Sequence, residues 1–87
     1  MVDDEADIVA TFSRALEYHG FSVTGFTDPD RALSDFKPGF YDMIILDVRM
    51  PRLNGFELAR ALWQIDGKAR ICLMTAFEIY EDEEKKV

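Results

Sequence analysis

Met43-Ile44-Ile45-Leu46-Asp47 is the stretch whose reading decides the fold. It is an unbroken run of β-prone apolar residues that stops abruptly at a carboxylate, without the alternation of a strand that has one wet face. Such a run suits a central strand of a parallel sheet, covered on both faces. The chain continues through Val48-Arg49-Met50-Pro51-Arg52-Leu53 into Asn54-Gly55-Phe56-Glu57. That tetrad has the pattern of a capping box, with Glu57 placed to reach back from N3. Leu58, Ala59, Leu62 and Trp63 carry a helix onward at three- and four-residue spacing, and Gly67 is the expected stop. Ile71-Cys72-Leu73-Met74 is a second continuous apolar strand, ending in Thr75-Ala76.

The segments upstream repeat the alternation. Residues 8–19 read as a helix with Ile8, Phe12, Ala15 and Leu16 on one face, Asp7 as candidate N-cap and Gly20 at C′. Residues 21–26 alternate as a strand should. Asp28-Pro29 is a helix start, an N-cap followed by proline at N1, and the helix runs to the Lys37-Pro38-Gly39 breaker. Residues from Phe77 onward read as a loop leading into an acidic helix. Strands and helices joined by short connections mean βαβ units and one α/β domain over residues 1–87. Both ends read as cut: Met1-Val2 supply only a stub of a first strand, and no strand follows residues 71–74.

Composition narrows the function. The chain has 87 residues, 48% hydrophobic and 31% charged, which is the balance of one small globular domain. A net charge of −7 argues against nucleic-acid binding, which demands a basic face. The apolar runs are too short to cross a bilayer, and no signal peptide opens the chain. With the single cysteine, Cys72, in an apolar stretch, a cytoplasmic location is the expectation.

Chemistry is carried by acidic groups in equivalent places. Asp3 and Asp4 stand where a first strand meets its helix, and Asp47 ends the central strand. In an open parallel sheet the carboxyl ends of neighbouring strands border one crevice, where ligands bind. Like charges 4 Å apart at an effective dielectric near 20 repel by roughly 4 kcal/mol per pair. Either the pKa values rise or a cation sits among them. Oxygen ligands alone select a hard ion, and few protein ligands favour Mg²⁺ over Ca²⁺. A carboxylate beside Mg²⁺ can attack a phosphoryl group in line. Thr75 would offer a hydroxyl to that group, with backbone N–H groups of Val48, Arg49 and Ala76. Asp3-Asp4 alone would also suit surface or helix-dipole chemistry, as would Asp7. Gly55 and Pro51 read first as loop and helix-start residues, His19 as a helix-end charge, and Trp63 and Cys72 as packing.

The motifs together resemble those of response-regulator receiver domains of two-component systems. Val2-Asp3-Asp4-Glu5 is similar to the first signature, Leu46 through Leu58 to the second, and Leu73-Met74-Thr75-Ala76 to the third. The resemblance implies a flavodoxin-like doubly wound sheet of order 2-1-3-4-5, here without most of strand 1 and without strand 5 and helix 5. It implies Asp47 as phosphoacceptor and Thr75 as switch hydroxyl, with the Ala76 backbone facing the phosphate. It implies Mg²⁺ held by Asp4, Asp47 and the backbone carbonyl of Arg49, with Asp3 acting through water. The family's fifth-strand lysine has no counterpart, since Lys85 and Lys86 do not match its position.

The resulting expectation is a signalling switch, not a turnover enzyme, that takes phosphoryl from a sensor histidine kinase or phosphotransfer protein. The alternative is a pseudo-receiver acting as a phosphorylation-independent interaction module. A related Mg²⁺-dependent phosphatase would carry a second aspartate two residues after the first, where Arg49 stands. Because residues 71–74 have no expected neighbour on their far side, the chain is expected to be partly unfolded or associated, most simply as a symmetric dimer.

Overall fold

A computed structural model of the chain describes residues 1–75 and 79–80. Its elements in order are α1 (Ala6–Tyr18), α2 (Pro29–Ser34), β1 (Ile44–Asp47), α3 (Gly55–Ile65), β2 (Ile71–Met74) and β3 (Ile79–Tyr80). The apolar run forms β1, which pairs in parallel with β2 from Ile44↔Ile71 through Asp47↔Met74. On the other side of β1 lies Val2, in parallel bridges to both Leu46 and Phe26. The spatial order is therefore Phe26, Val2, β1, β2, which is the 2-1-3-4 part of the expected order.

Alternation along the strands sorts the core. Ile44, Leu46, Ile71 and Leu73 are buried with Leu58, Ala59 and Leu62 of α3, Ala32 of α2, and Val2 and Met50. Ile45, Cys72 and Met74, on the opposite face, are only half-buried, and no residue of α1 is fully buried. The sequence pattern of α3 is realised as expected. Asn54 Oδ1 accepts from the Glu57 N–H and Glu57 Oε1 from the Asn54 N–H, both at 2.9 Å. Asp28 caps α2 by accepting from the Asp30 N–H at 3.0 Å, with Pro29 at the first position.

Four expectations change. Helix α1 starts at Ala6 with Glu5 as N-cap, not at Ile8 behind Asp7. The Asp3 carboxylate accepts the Glu5 N–H at 2.9 Å and turns the chain into the helix earlier. Residues 21–26 form no strand; only Phe26 is bridged. Phe26 is held there by two bonds, its N–H donating to the Met1 carbonyl at 2.9 Å and its carbonyl accepting from the Asp3 N–H at 3.1 Å. Helix α3 ends on Asp66 and not through Gly67. The Asp66 carboxylate accepts from the N–H groups of Lys68 and Gly39, tying two loops together. Finally, the far side of β2 does have a neighbour: β3 runs antiparallel to it, with Leu73↔Tyr80 and Met74↔Ile79. Ile and Tyr are strand formers, and an antiparallel return needs only a short connection. That pairing covers the Leu73 and Met74 end of the edge on which the expected dimer rested. The expected acidic helix beyond Tyr80 lies outside the described residues.

One glycine sets the approach of α3 to β1. A Cβ on Gly55 would collide with the Asp47 carbonyl oxygen and lie 2.9 Å from the Val48 Cα. The Gly55 N–H donates to the Val48 carbonyl at 3.0 Å, so the helix start is pinned against the strand end. Gly55→Ala should therefore destabilise the fold by about 1–3 kcal/mol despite alanine's better helix propensity. Gly67→Ala, whose Cβ would meet only the Trp63 carbonyl at 3.8 Å, should stay within about 0.5 kcal/mol of the parent. Urea unfolding of the two variants side by side measures the difference.

Candidate functional site

Two backbone ladders place three carboxylates together. The Val2 N–H donates to the Ile45 carbonyl at 2.8 Å, and the Asp47 N–H donates to the Val2 carbonyl at 2.9 Å. Residues that follow Val2 and residues that end β1 therefore emerge side by side at the carboxyl edge of the sheet. Carboxylate oxygens of Asp3, Asp4 and Asp47 all lie within 4.8 Å of one another. Asp3 is buried at 4% exposure, Asp47 is half-buried and Asp4 is exposed. Asp3 and Asp47 open onto a cleft of about 310 Å³ lined also by Glu5, Ile8, Phe12, Met74 and Thr75.

The electrostatics are unfavourable for bare carboxylates. Burial pushes the Asp3 carboxyl above its ordinary value; the Glu5 N–H opposes this, and the Asp4 charge adds to it. Burial also pushes the Asp47 carboxyl up, followed by the charge of Asp3, while the Arg49 N–H, at 3.4 Å from Asp47 Oδ1, pulls the other way. Asp4 and Glu5 add smaller repulsions. The ion pairs among the described residues, Arg31–Asp35 and Arg52 with Asp28 and Asp30, do not reach this cluster. Negative charge gathered without a basic partner, from oxygen donors alone, matches the demand of a small hard cation. Carboxylate oxygens gathered within 4.8 Å are the donor chemistry that such an ion takes, directly or through water.

The structure thus brings Asp3, Asp47 and Thr75 to one cleft, with Asp4 in the carboxylate cluster and Arg49 two residues beyond the strand end. Ala76 lies outside the described residues. The sequence reading passed over Glu5, Ile8, Phe12 and Met74 as cleft residues. The one signal available was position: Glu5 follows the acidic pair, and Ile8 and Phe12 lie on the same helical face one and two turns on.

Comparisons with known proteins agree with this geometry. The whole chain, residues 1–87, matches the family described as "Response regulator receiver domain". The chain is similar to the transcriptional regulatory protein PrrA of Mycobacterium tuberculosis, 33% identical over 82 residues, covering 94% of this chain and 35% of that protein. The chain thus spans about a third of the length of the curated relatives it matches first. Among solved structures it is similar to the response regulator TrrA of Thermotoga maritima in complex with Mg²⁺-BeF, at 35% identity and TM-score 0.80, covering 86% of this chain and 65% of that one. It is also similar to a chain in the complex of histidine kinase ThkA with TrrA, at 33% identity and TM-score 0.80, covering 93% of this chain and 70% of that one. No helix of the described residues is long and apolar enough to cross a membrane.

The raised carboxyls make stability depend on pH with a definite sign. Asp3 and Asp47 bind a proton more tightly folded than unfolded, so their contribution is complete below the ordinary value of 3.8 and is lost as pH rises through their folded values. In metal-free solution, this pair should make the fold less stable at pH 7 than at mildly acidic pH. Asp47→Asn, which removes one charge of the cluster, should flatten that slope, as read from urea midpoints across the range.

Proposed function

The chain belongs to the response regulator receiver domain family, and from that membership we propose that it is a phosphorylation-dependent signalling switch that takes a phosphoryl group on Asp47. The observation that carries the proposal is the convergence of three carboxylates within 4.8 Å at the carboxyl edge of a parallel sheet, with Asp47 at the end of the central strand.

A carboxylate oxygen of Asp47 attacks the phosphorus of a phosphohistidine in line; the new O–P bond forms as the P–N bond breaks, and its electron pair returns to the imidazole nitrogen. Burial and the neighbouring N–H of Arg49 orient that carboxylate along the cleft. Asp4, Asp47 and the Arg49 carbonyl would hold Mg²⁺, and Asp3 would act through water. When bound, the ion supplies charge neutralisation for the carboxylates and for the phosphoryl oxygens. Thr75, which lines the cleft with Asp47, donates its hydroxyl hydrogen to the transferred group. Water later attacks the phosphorus, the O–P bond breaks, and the Asp47 carboxylate and inorganic phosphate are released.

A sensor histidine kinase or phosphotransfer protein is the donor in this reading. The likeness to TrrA, seen in complex with the kinase ThkA, supports it. The acidic charge supports a partner other than nucleic acid, and a cytoplasmic location follows from the donor.

With acetyl phosphate and Mg²⁺, the parent should gain a hydroxylamine-sensitive acyl phosphate and Asp47→Asn should stay at background. An Asp47→Asn protein that gains it at the parent's rate would move the acceptor elsewhere, and a parent that never gains it would favour the phosphorylation-independent module. Asp4→Ala should weaken Mg²⁺ binding on the order of tenfold or more by calorimetric titration at matched ionic strength, with the fold retained.

A further inference from the structure

We propose that Arg52 is a positioning residue for the metal site: its guanidinium ties the loop after β1 to the start of α2 and so holds the Arg49 carbonyl beside Asp47. The inference rests on the reading of the site given above, in which that carbonyl is a ligand.

Arg52 stands in the loop between Asp47 and the capping residue Asn54, two residues before the latter. Its φ of +69° makes it the only non-glycine among the described residues in the left-handed region. The Leu53 N–H donates to the Pro51 carbonyl at 2.7 Å across it, closing a γ-turn that sets Arg52 at positive φ, where glycine or asparagine would be more at ease. Its side chain, however, does what those residues cannot. Nη2 lies 2.8 Å from Asp30 Oδ2 and 3.4 Å from Asp28 Oδ1. Asp28 Oδ1 simultaneously accepts the Asp30 N–H at 3.0 Å, so the guanidinium closes onto a preset pair of carboxylates. A cation at the first turn of a helix opposes the helix dipole. The contact therefore does not serve α2 through its dipole, and the element that gains from it is the loop.

The loop needs such a tie at this point. Its ends are held: the Val48 N–H donates to the Met74 carbonyl at 2.9 Å, the Val48 carbonyl accepts from Gly55, and Met50 is buried. Between them, Arg49, Pro51 and Arg52 are exposed, and the Arg49 N–H has only the 3.4 Å contact with Asp47. Arg52 fixes the exposed middle from outside. Both carboxylates are met by the one nitrogen, Nη2, so a single cationic point at this reach makes the tie.

The sign of the effect separates positioning from simple charge. Removing a cation near a metal site should, by electrostatics alone, leave Mg²⁺ binding unchanged or tighten it. Positioning predicts the opposite. Arg52→Asn keeps a residue that tolerates positive φ but cannot span to α2. Its Mg²⁺ dissociation constant should rise about three- to tenfold at low ionic strength, and the difference should shrink as salt screens the exposed pairs in the parent. Arg52→Lys should recover part of the affinity. In metal-free protein, amide exchange of Gly55 should quicken severalfold in Arg52→Asn at an unchanged unfolding midpoint. Equal or tighter Mg²⁺ binding by Arg52→Asn overturns the inference, and so does unchanged Gly55 exchange. A parent that binds no Mg²⁺ overturns the reading of the site instead, and the metal-free exchange then still decides whether the tie exists.

Discussion

The peptide group of Val2 is the joint on which the arrangement depends. Its N–H and carbonyl bond to Ile45 and Asp47, while its neighbours Met1 and Asp3 bond to Phe26. Val2 thus links Phe26 to β1, and it is buried at 4% exposure. Backbone groups buried away from water must find partners. Satisfying those of Val2 forces Asp3 and Asp4 out beside Asp47. The site is a consequence of how the sheet closes around that one residue.

Crowded carboxylates cost stability, and the fold offsets this with restraint nearby. The N–H of Glu5 is spent on Asp3, the N–H of Arg49 on Asp47, and Gly55 lets the start of α3 reach the backbone of Asp47 itself. Covering is uneven. The face of the sheet under α2 and α3 holds the buried residues, whereas Ile45, Cys72 and Met74 on the other face are only half-buried. Stability is therefore drawn mainly from one layer, while the cleft opens beside α1, the least buried helix.

Much of this was legible in the residues. The unbroken run before Asp47 betrayed a buried parallel strand because no amphipathic alternative explains it, and Asn54 with Glu57 announced α3 through side chains that bond locally. The acidic trio was legible for a related reason: carboxylates at strand ends are costly, so their recurrence carries information. What escaped depends on contacts made at a distance. Residues 21–26 alternate well, yet only Phe26 is bridged. The pairing of β3 with β2 could not be read from two residues in an acidic stretch. Asp7 looked like a cap, but Asp3 had already turned the chain. Glu5 and Phe12 join the cleft only once α1 is placed against it.

The capping box at the start of α3 also bears on chemical ageing. Asn54-Gly55 is the pairing of residues most prone to cyclise through the following peptide nitrogen, losing ammonia and leaving aspartate or isoaspartate. In the folded chain both reacting groups are engaged. The Gly55 N–H is committed to the Val48 carbonyl at 3.0 Å, and the Asn54 side-chain oxygen is held by the Glu57 N–H at 2.9 Å. Cyclisation would have to break both. The same bonds that launch the helix therefore guard its cap from deamidation. Unfolding exposes the pair, so isoaspartate at position 54 would accumulate as a chemical record of the time each molecule has spent unfolded.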